Sequence, residues 1–305
     1  MELRRLGSTT VEVTTLGLGG AGIAGLYDPV PDAEATAAVR RAFDRGIRYF
    51  DTAPHYGAGR GERLMGAALP GGCVISTKVG RLLVPLAAGE PPEAGGFADP
   101  PPYRREWDWS AEGILRSLNE SLERLGADHV DIVYMHDPDR HEEQVYASAY
   151  PALAALRDEG VVRAIGAGMN QSAMLTRLVE RLDLDVVLCA GRYTLLDRPA
   201  LEDLLPACER RGTSVVVGGA YNSGLLAGGT TFDYRPAPPE MLARVARLEE
   251  ICAGHGVPLR AAALRFPLRH PAVASVVVGC RSAAEVDDNA DMFELDIPEA
   301  LWDEL

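Results

Sequence analysis

Residues 48–57 read Arg-Tyr-Phe-Asp-Thr-Ala-Pro-His-Tyr-Gly. The apolar run at 47–50 stops at an acid, Asp51, and a proline intervenes before Tyr56 and Gly57. A short continuous apolar run bounded by turn residues reads as a strand buried on both faces. The segment is therefore expected to be a strand over 47–51 that ends on a carboxylate and opens into a loop. An acid and a phenol at one strand's C-terminal end can share a pocket. The flanks carry the fold. A helix over 32–45, capped by Asp32 with Glu34 behind it, ends at Gly46 just before the strand. A helix over 60–69 ends at Pro70-Gly71-Gly72 just after it.

The same order recurs along the chain. Apolar strands are expected at 15–18, 47–51, 74–78, 130–136, 161–165, 186–189, 214–217 and 273–278, nearly all separated by helices. Ser110 caps a helix that ends at Gly126, and Ser282 caps a helix to 292. Alternating strands and helices imply a parallel sheet, and eight such units in a chain of 305 residues fit a closed (β/α)8 TIM barrel. Residues 3–13, turning at Gly7-Ser8-Thr9, suit a small N-terminal β-hairpin. Composition shows no break within 1–305, so a single domain is expected. Residues 80–108, rich in Pro and Gly, read as a long excursion, and 218–238 as a loop.

Gly17, Gly19 and Gly22 match the spacing of a dinucleotide-binding fingerprint, which needs a helix to open at the third glycine. Here 23–31 intervene with Pro29 and Pro31, and the next helix is expected only near Asp32. The run reads as a turn where backbone must approach something closely.

Bulk properties narrow the function. A net charge of −14 argues against nucleic-acid binding, which needs basic patches. The chain is 47% hydrophobic and 24% charged, enough for a large core. Cys73, Cys189, Cys208, Cys252 and Cys280 are odd in number and lack CxxC spacing, which suits free thiols in a reducing compartment. No apolar run approaches membrane-spanning length, and the N-terminus lacks a signal peptide's apolar core. A cytoplasmic protein, monomeric or a small homo-oligomer, with no membrane, nucleic-acid or metal partner is expected.

In such barrels the chemistry sits at the C-terminal ends of the strands. Those ends carry Asp51, with Tyr56 beyond; Lys78; His136; Asn170; Arg192; Gly218-Gly219; and Gly279-Cys280-Arg281. Each alone has an ordinary role open to it: a turn former, a rim aromatic, a snorkelling lysine, a structural histidine. Four of them, Asp51, Tyr56, Lys78 and His136, facing one mouth favour a catalytic set. A lysine closing an apolar strand calls for a partner, and Asp51 can supply it.

The motifs Phe50-Asp51-Thr52-Ala53-x-x-Tyr56-Gly57, Thr77-Lys78, Asp131 to His136, Ile165-Gly166-x-Gly168-Met169-Asn170 and the segment 279–289 resemble the aldo-keto reductase superfamily, in the right order over almost the whole chain. Within it the chain is most similar to sugar-oxidising members, the D-threo-aldose 1-dehydrogenase (L-fucose dehydrogenase) group. The resemblance implies an NAD(P)-dependent oxidoreductase that moves hydride between a nicotinamide and an aldose C1, giving a lactone. Pyridoxal 4-dehydrogenase or general aldehyde/ketone reductase activity is the alternative, and a cofactor-binding regulatory subunit the alternative of another class. It further implies Tyr56 as acid/base, its pKa lowered by Lys78; Asp51 as anchor of Lys78; and His136 as orienter of the substrate oxygen. Cofactor contacts fall on Gly19, Gly20, Asp51, Asn170, Gly279, Arg281, Glu285, Asp288 and Asn289. The loop Gly219, Tyr221, Asn222, Ser223, Gly224 and Leu225 would wrap the pyrophosphate with backbone N–H groups. Glu285 favours NAD, while Arg281 keeps NADP open. Substrate contacts are expected at His55, Tyr56, Trp107, Trp109, His136 and Arg192.

Overall fold

In a computed structural model, which describes residues 1–93, 95–98 and 101–305, β1 (Leu3–Arg5) and β2 (Glu12–Thr14) form the antiparallel N-terminal hairpin. Then come β3 (Leu16–Gly19), α1 (Gly20–Ile23), α2 (Asp32–Asp44), β4 (Tyr49–Asp51), α3 (Arg60–Ala68) and β5 (Val74–Val79). A second hairpin, β6 (Arg81–Pro85) with β7 (Tyr103–Trp107), leads to α4 (Ala111–Leu125) and β8 (Ile132–His136). The chain continues through α5 (Glu142–Gln144), α6 (Tyr150–Asp158), β9 (Ala164–Met169), α7 (Ser172–Arg181), β10 (Val186–Ala190), α8 (Leu204–Arg211) and β11 (Ser214–Gly218). The small hairpin β12 (Thr231–Phe232) and β13 (Arg235–Pro236) precedes α9 (Pro239–Gly254), α10 (Leu259–Arg265), β14 (Val273–Gly279), α11 (Ala283–Glu294) and α12 (Glu299–Trp302).

Eight parallel strands close into a barrel in the order β3-β4-β5-β8-β9-β10-β11-β14. Side chains alternate across each strand. Phe50, Val133 and Met135 point outward into the layer beneath the helices, while Tyr49 and Tyr134 point inward. Leu6, Val11 and Val13 of the N-terminal hairpin join that inner cluster and close the barrel floor. The register pairs Asp51 with Ser76, Lys78 with Tyr134 and His136 with Gly168, which brings the polar strand ends to one mouth.

Four expectations are corrected. Pro31, not Asp32, is the N-cap of α2; the Asp32 carboxylate instead accepts from Arg60 Nε at 3.2 Å. A four-residue helix, α1, does open inside the glycine run. The fifth barrel strand begins at Ala164 rather than at residue 161, because Val161 and Val162 both donate backbone N–H to Leu156 O in the turn ending α6. The excursion 80–108 is anchored by the β6–β7 hairpin; its residues 94, 99 and 100 lie outside the described residues. Among the described residues no helix is long and apolar enough to cross a membrane.

Candidate active site

Tyr56 reaches the barrel mouth through a tight reversal after β4. Tyr56 N–H donates to Ala53 O at 3.1 Å, and Gly57, Ala58 and Gly59 all have positive φ. Gly57 meets two demands at once: φ is +58°, and a Cβ would sit 2.8 Å from Ala24 O. Lys78, at the end of β5, is fully buried and donates to Asp51 Oδ2 at 2.6 Å, Thr52 O at 2.9 Å and the Tyr56 hydroxyl at 3.0 Å. All three hydrogen-bonding directions of the ammonium are thus used. Asp51 Oδ1 accepts from Ser76 Oγ at 2.7 Å. Ser76 in turn contacts the Tyr49 hydroxyl at 3.2 Å, and Tyr49 that of Tyr134 at 3.1 Å. A hydrogen-bonded chain therefore runs from the barrel interior to Tyr56. Tyr49, Ser76 and Tyr134 are members that sequence reasoning missed.

His136 packs edge-on against Tyr56 at 5.9 Å and against His55 at 5.7 Å between ring centroids. Phe97, from the 80–108 excursion, closes on His55 at 5.5 Å and on Tyr56 at 6.1 Å. Arg105, almost fully buried, crosses from β7 to donate to His55 O at 3.1 Å. Arg81 pairs with Asp137 beside His136.

The electrostatics differ from expectation in one respect. Lys78 does pull the Tyr56 hydroxyl down, but burial is the larger effect and holds its pKa up at about 12. Burial also opposes the charge on Lys78, yet Asp51 and Tyr56 together outweigh it and raise the ammonium's pKa. Burial, reinforced by Arg81 and Lys78, keeps His136 well below the usual histidine range. Burial, with Arg81, Arg105 and Lys78, lowers His55 to about 3. Both imidazoles are neutral at pH 7.

A cavity of about 600 Å³ opens beside Tyr56 and Asp51. Its lining brings together Gly19, Asn170, Gly219, Tyr221, Asn222, Ser223, Gly224, Gly279, Arg281, Glu285, Asp288 and Asn289, residues for which the resemblance implies a cofactor contact. Seven glycines, Gly19, Gly22, Gly191, Gly218, Gly219, Gly224 and Gly279, line it beside polar side chains, and the volume lies in the range of cofactor sites. The loop after β11 is held by its own contacts. Asn222 Oδ1 accepts from Thr194 at 2.7 Å, and the N–H groups of Asn222 and Leu225 donate to Gly219 O and Asn222 O. Those two N–H groups are spent within the loop rather than facing a ligand. Tyr221 faces the cavity with its hydroxyl donating to Asn289 Oδ1 at 2.7 Å. Arg281 is held by Asp28 at 2.7 Å and Glu285 at 3.0 Å, and Arg260 by Asp288.

Of the other expected contacts, His55 and His136 pack beside Tyr56 but off the cavity's lining, and four more lie elsewhere. Gly20 packs on the site's backbone, where a Cβ would lie 3.0 Å from Asp51 O. Leu225 is buried in the apolar cluster that contains Leu195, Leu196 and Val245. Trp109 is 2% exposed and packs on Gly80, where any Cβ would overlap its ring, so it pins the excursion to the barrel. Arg192 donates to both oxygens of Asp233 at 2.8 and 2.9 Å, and it is Asp233 that lines the cavity. Trp107 is half-exposed and lines a smaller, adjoining cavity. Unforeseen were Tyr27 and Tyr234, both at positive φ, whose rings lie 6.4 Å apart on the cavity's lining. Their only sequence signal was placement in Pro- and Gly-rich loops.

Residues 15–305 match the model of the Aldo/keto reductase family. D-threo-aldose 1-dehydrogenase from Pseudomonas sp is 45% identical, over 96% of this chain and 93% of its own length. Pyridoxal 4-dehydrogenase from Microbacterium luteolum is 42% identical, over 99% of this chain and 95% of its own length. The structure of a glycerol dehydrogenase from Gluconobacter oxydans superposes with a TM-score of 0.79 at 23% identity, over 99% of this chain and 93% of that one, which speaks to the fold alone.

Proposed function

The chain belongs to the aldo/keto reductase family and is an NAD(P)-dependent oxidoreductase; from that premise we propose that it oxidises an aldose at C1 to the lactone, with NAD as cofactor and Tyr56 as acid/base. The carrying observation is the chain Asp51–Lys78–Tyr56, with contacts of 2.6 and 3.0 Å, beside a neutral His136. The residues fit the cofactor. Asn170, Gly219 and Tyr221 would hold the nicotinamide end, and Glu285, Asp288 and Asn289 the adenosine end. When bound, the oxidised nicotinamide supplies the hydride acceptor and a positive charge.

The chain's own residues handle the proton. In the oxidative direction the buried Lys78 stabilises Tyr56 as the phenolate, which accepts the proton from the sugar hydroxyl and becomes the neutral phenol. Asp51 keeps Lys78 charged and aimed. His136, lacking charge, hydrogen-bonds the reacting oxygen without competing for the proton. A buried tyrosine with its pKa held near 12 is also a ready donor in the reverse direction.

Preference for NAD follows from the cavity's charges. Asp51, Asp233, Glu285 and Asp288 face it, and its two guanidiniums, Arg260 and Arg281, are already paired. A ribose diol suits that end, whereas a 2′-phosphate would meet carboxylates.

A panel of aldoses, alcohols and pyridoxal with NAD and NADP, followed by NAD(P)H absorbance, tests the substrate. Turnover of an aldose with NAD is expected; turnover of pyridoxal alone would replace the aldose reading. Tyr56→Phe is expected to lower kcat by about 10²–10⁴-fold while cofactor affinity holds. Wild-type kcat in that variant would remove Tyr56 from the chemistry.

A further inference from the structure

Next to His136 a second cavity, of about 240 Å³, shares Asn170 with the main one. We propose that this smaller cavity is the subsite that recognises the distal hydroxyl groups of an uncharged polyhydroxylated substrate. The proposal rests on the aldose reading and specifies how the sugar is selected.

The position fits. Arg81 and Asp137 pair at the cavity wall, and Asp137 Oδ2 lies 3.9 Å from His136 Nε2. Neither Tyr56 nor His136 lines this cavity, but Asp137 beside His136 and the shared Asn170 put it within reach of a substrate whose reacting oxygen sits at Tyr56.

The lining also selects a ligand class. Arg81 and Arg140 supply two guanidiniums, Asp137 and Asp139 two carboxylates, and Gln171 an amide. The fixed charges cancel, while donors and acceptors alternate. A hydroxyl both donates and accepts, so a run of hydroxyls satisfies both kinds of group at once. A sugar acid or phosphate would have to compete with Asp137 for Arg81, and an ammonium with Arg81 for Asp137. An aldehyde without hydroxyls would desolvate all of them without replacing their hydrogen bonds. Trp107, with the Arg81 guanidinium 4.3 Å from its ring centroid and nearly half its surface exposed, adds an apolar surface for sugar C–H groups. Arg81 Nε has no hydrogen-bond partner among the described residues, so the pair with Asp137 leaves the guanidinium incompletely satisfied.

The test compares full-length substrates with one too short to reach the subsite. Wild type, Asp139→Asn and Gln171→Ala are assayed with neutral aldoses, their distal deoxy analogues, the matching uronic acids and sugar phosphates, and glycolaldehyde in the reductive direction. The ratio of kcat/KM for the neutral aldose to that for glycolaldehyde is expected to fall about tenfold in each variant, the scale of one lost charge-assisted or amide hydrogen bond. Wild type is expected to favour the neutral aldose over its uronic acid and phosphate, and to lose a similar factor on distal deoxygenation. Aldose turnover with an unchanged ratio in both variants, or a preference for the charged sugars, overturns the subsite alone. Reduction of glycolaldehyde with no oxidation of any aldose overturns the aldose reading and the subsite together. Thermal melting of each variant checks that the fold is retained.

Discussion

Replacing Lys78 by methionine keeps most of the side chain's length and apolar volume but removes the charge. Its ammonium is fully buried and lies 3.0 Å from the Tyr56 hydroxyl. At an effective dielectric of about 20 a unit charge at that distance favours the phenolate by about 5 kcal/mol, an upper figure. A single charge-assisted hydrogen bond is worth about 1.5–3 kcal/mol, a lower one. Since each 1.4 kcal/mol is a factor of ten, Lys78→Met is expected to lower the oxidative kcat by about 10–10⁴-fold below the phenol's pKa. Steady-state oxidation from pH 6 to 11 should show the activity limb moving to higher pH, with the dissociation constant for NAD little changed. The variant also strands Asp51 as an unpaired buried carboxylate, so a loss of about 3–5 kcal/mol in stability is expected. Lys78→Met combined with Asp51→Asn separates the two effects. It should recover much of the melting temperature and none of the kcat. Recovery of kcat with stability, or a single variant within threefold of wild type at every pH, would refute Lys78 as the electrostatic partner of Tyr56.

Three further outcomes are expected. Asp28→Asn with Glu285→Gln releases Arg281 from both of its carboxylates, and the kcat/KM ratio for NADP over NAD should rise about tenfold, the scale of one charge-assisted contact. Gly57→Ala combines a left-handed residue with a Cβ 2.8 Å from Ala24 O; a loss of about 2–3 kcal/mol, read as a melting temperature lower by roughly 5–10 °C, should accompany a fall in kcat as Tyr56 shifts. The third concerns acid stability. Burial lowers His55 to about 3 when folded, against about 6.5 when unfolded, so between those values the unfolded chain binds the extra proton and stability is lost as pH falls. The contribution is about 1.4 kcal/mol per pH unit, and His136 acts in the same direction. His55→Asn should flatten denaturant midpoints measured from pH 7 to 4; an unchanged slope would contradict a neutral buried imidazole.

What the chain discloses unaided depends on how local its cause is. β4 was legible, though shorter than the expected 47–51, because Tyr49, Phe50 and Asp51 are all buried, on alternating faces, and the apolar run ending at an acid reports that directly. The juxtaposition of Asp51 and Lys78 followed from the barrel rule that strand ends converge, although the two are 27 residues apart. The β6–β7 hairpin stayed hidden because Arg81 pairs with Trp107 across a segment rich in Pro and Gly, and pairing at that separation leaves no periodic trace. The restraint on Arg281 is less local still, since its partner Asp28 lies 253 residues away. The pKa of Tyr56 shows the limit most clearly. Sequence names Lys78 as the group that lowers it, but the larger opposing effect is burial, to which Phe97, from the hidden excursion, contributes by packing on the ring.

That balance bears on direction. With the hydroxyl's pKa held near 12 by burial, the apo site keeps Tyr56 protonated at any physiological pH. On the proposed roles, base catalysis by Tyr56 would need a second positive charge beside Lys78, which an oxidised nicotinamide would supply and a reduced one would not. The same tyrosine is thereby suited to act as a base with NAD in place and as an acid with NADH. Each carboxylate lining the cavity has a cation, but Arg192 is shared by Asp197 and Asp233 and Arg281 by Asp28 and Glu285, and that surplus of negative charge favours the charged form. The dissociation constant for NAD should accordingly rise with ionic strength more steeply than that for NADH, and equal salt dependence for the two would separate the cavity's charge from the chemistry at Tyr56.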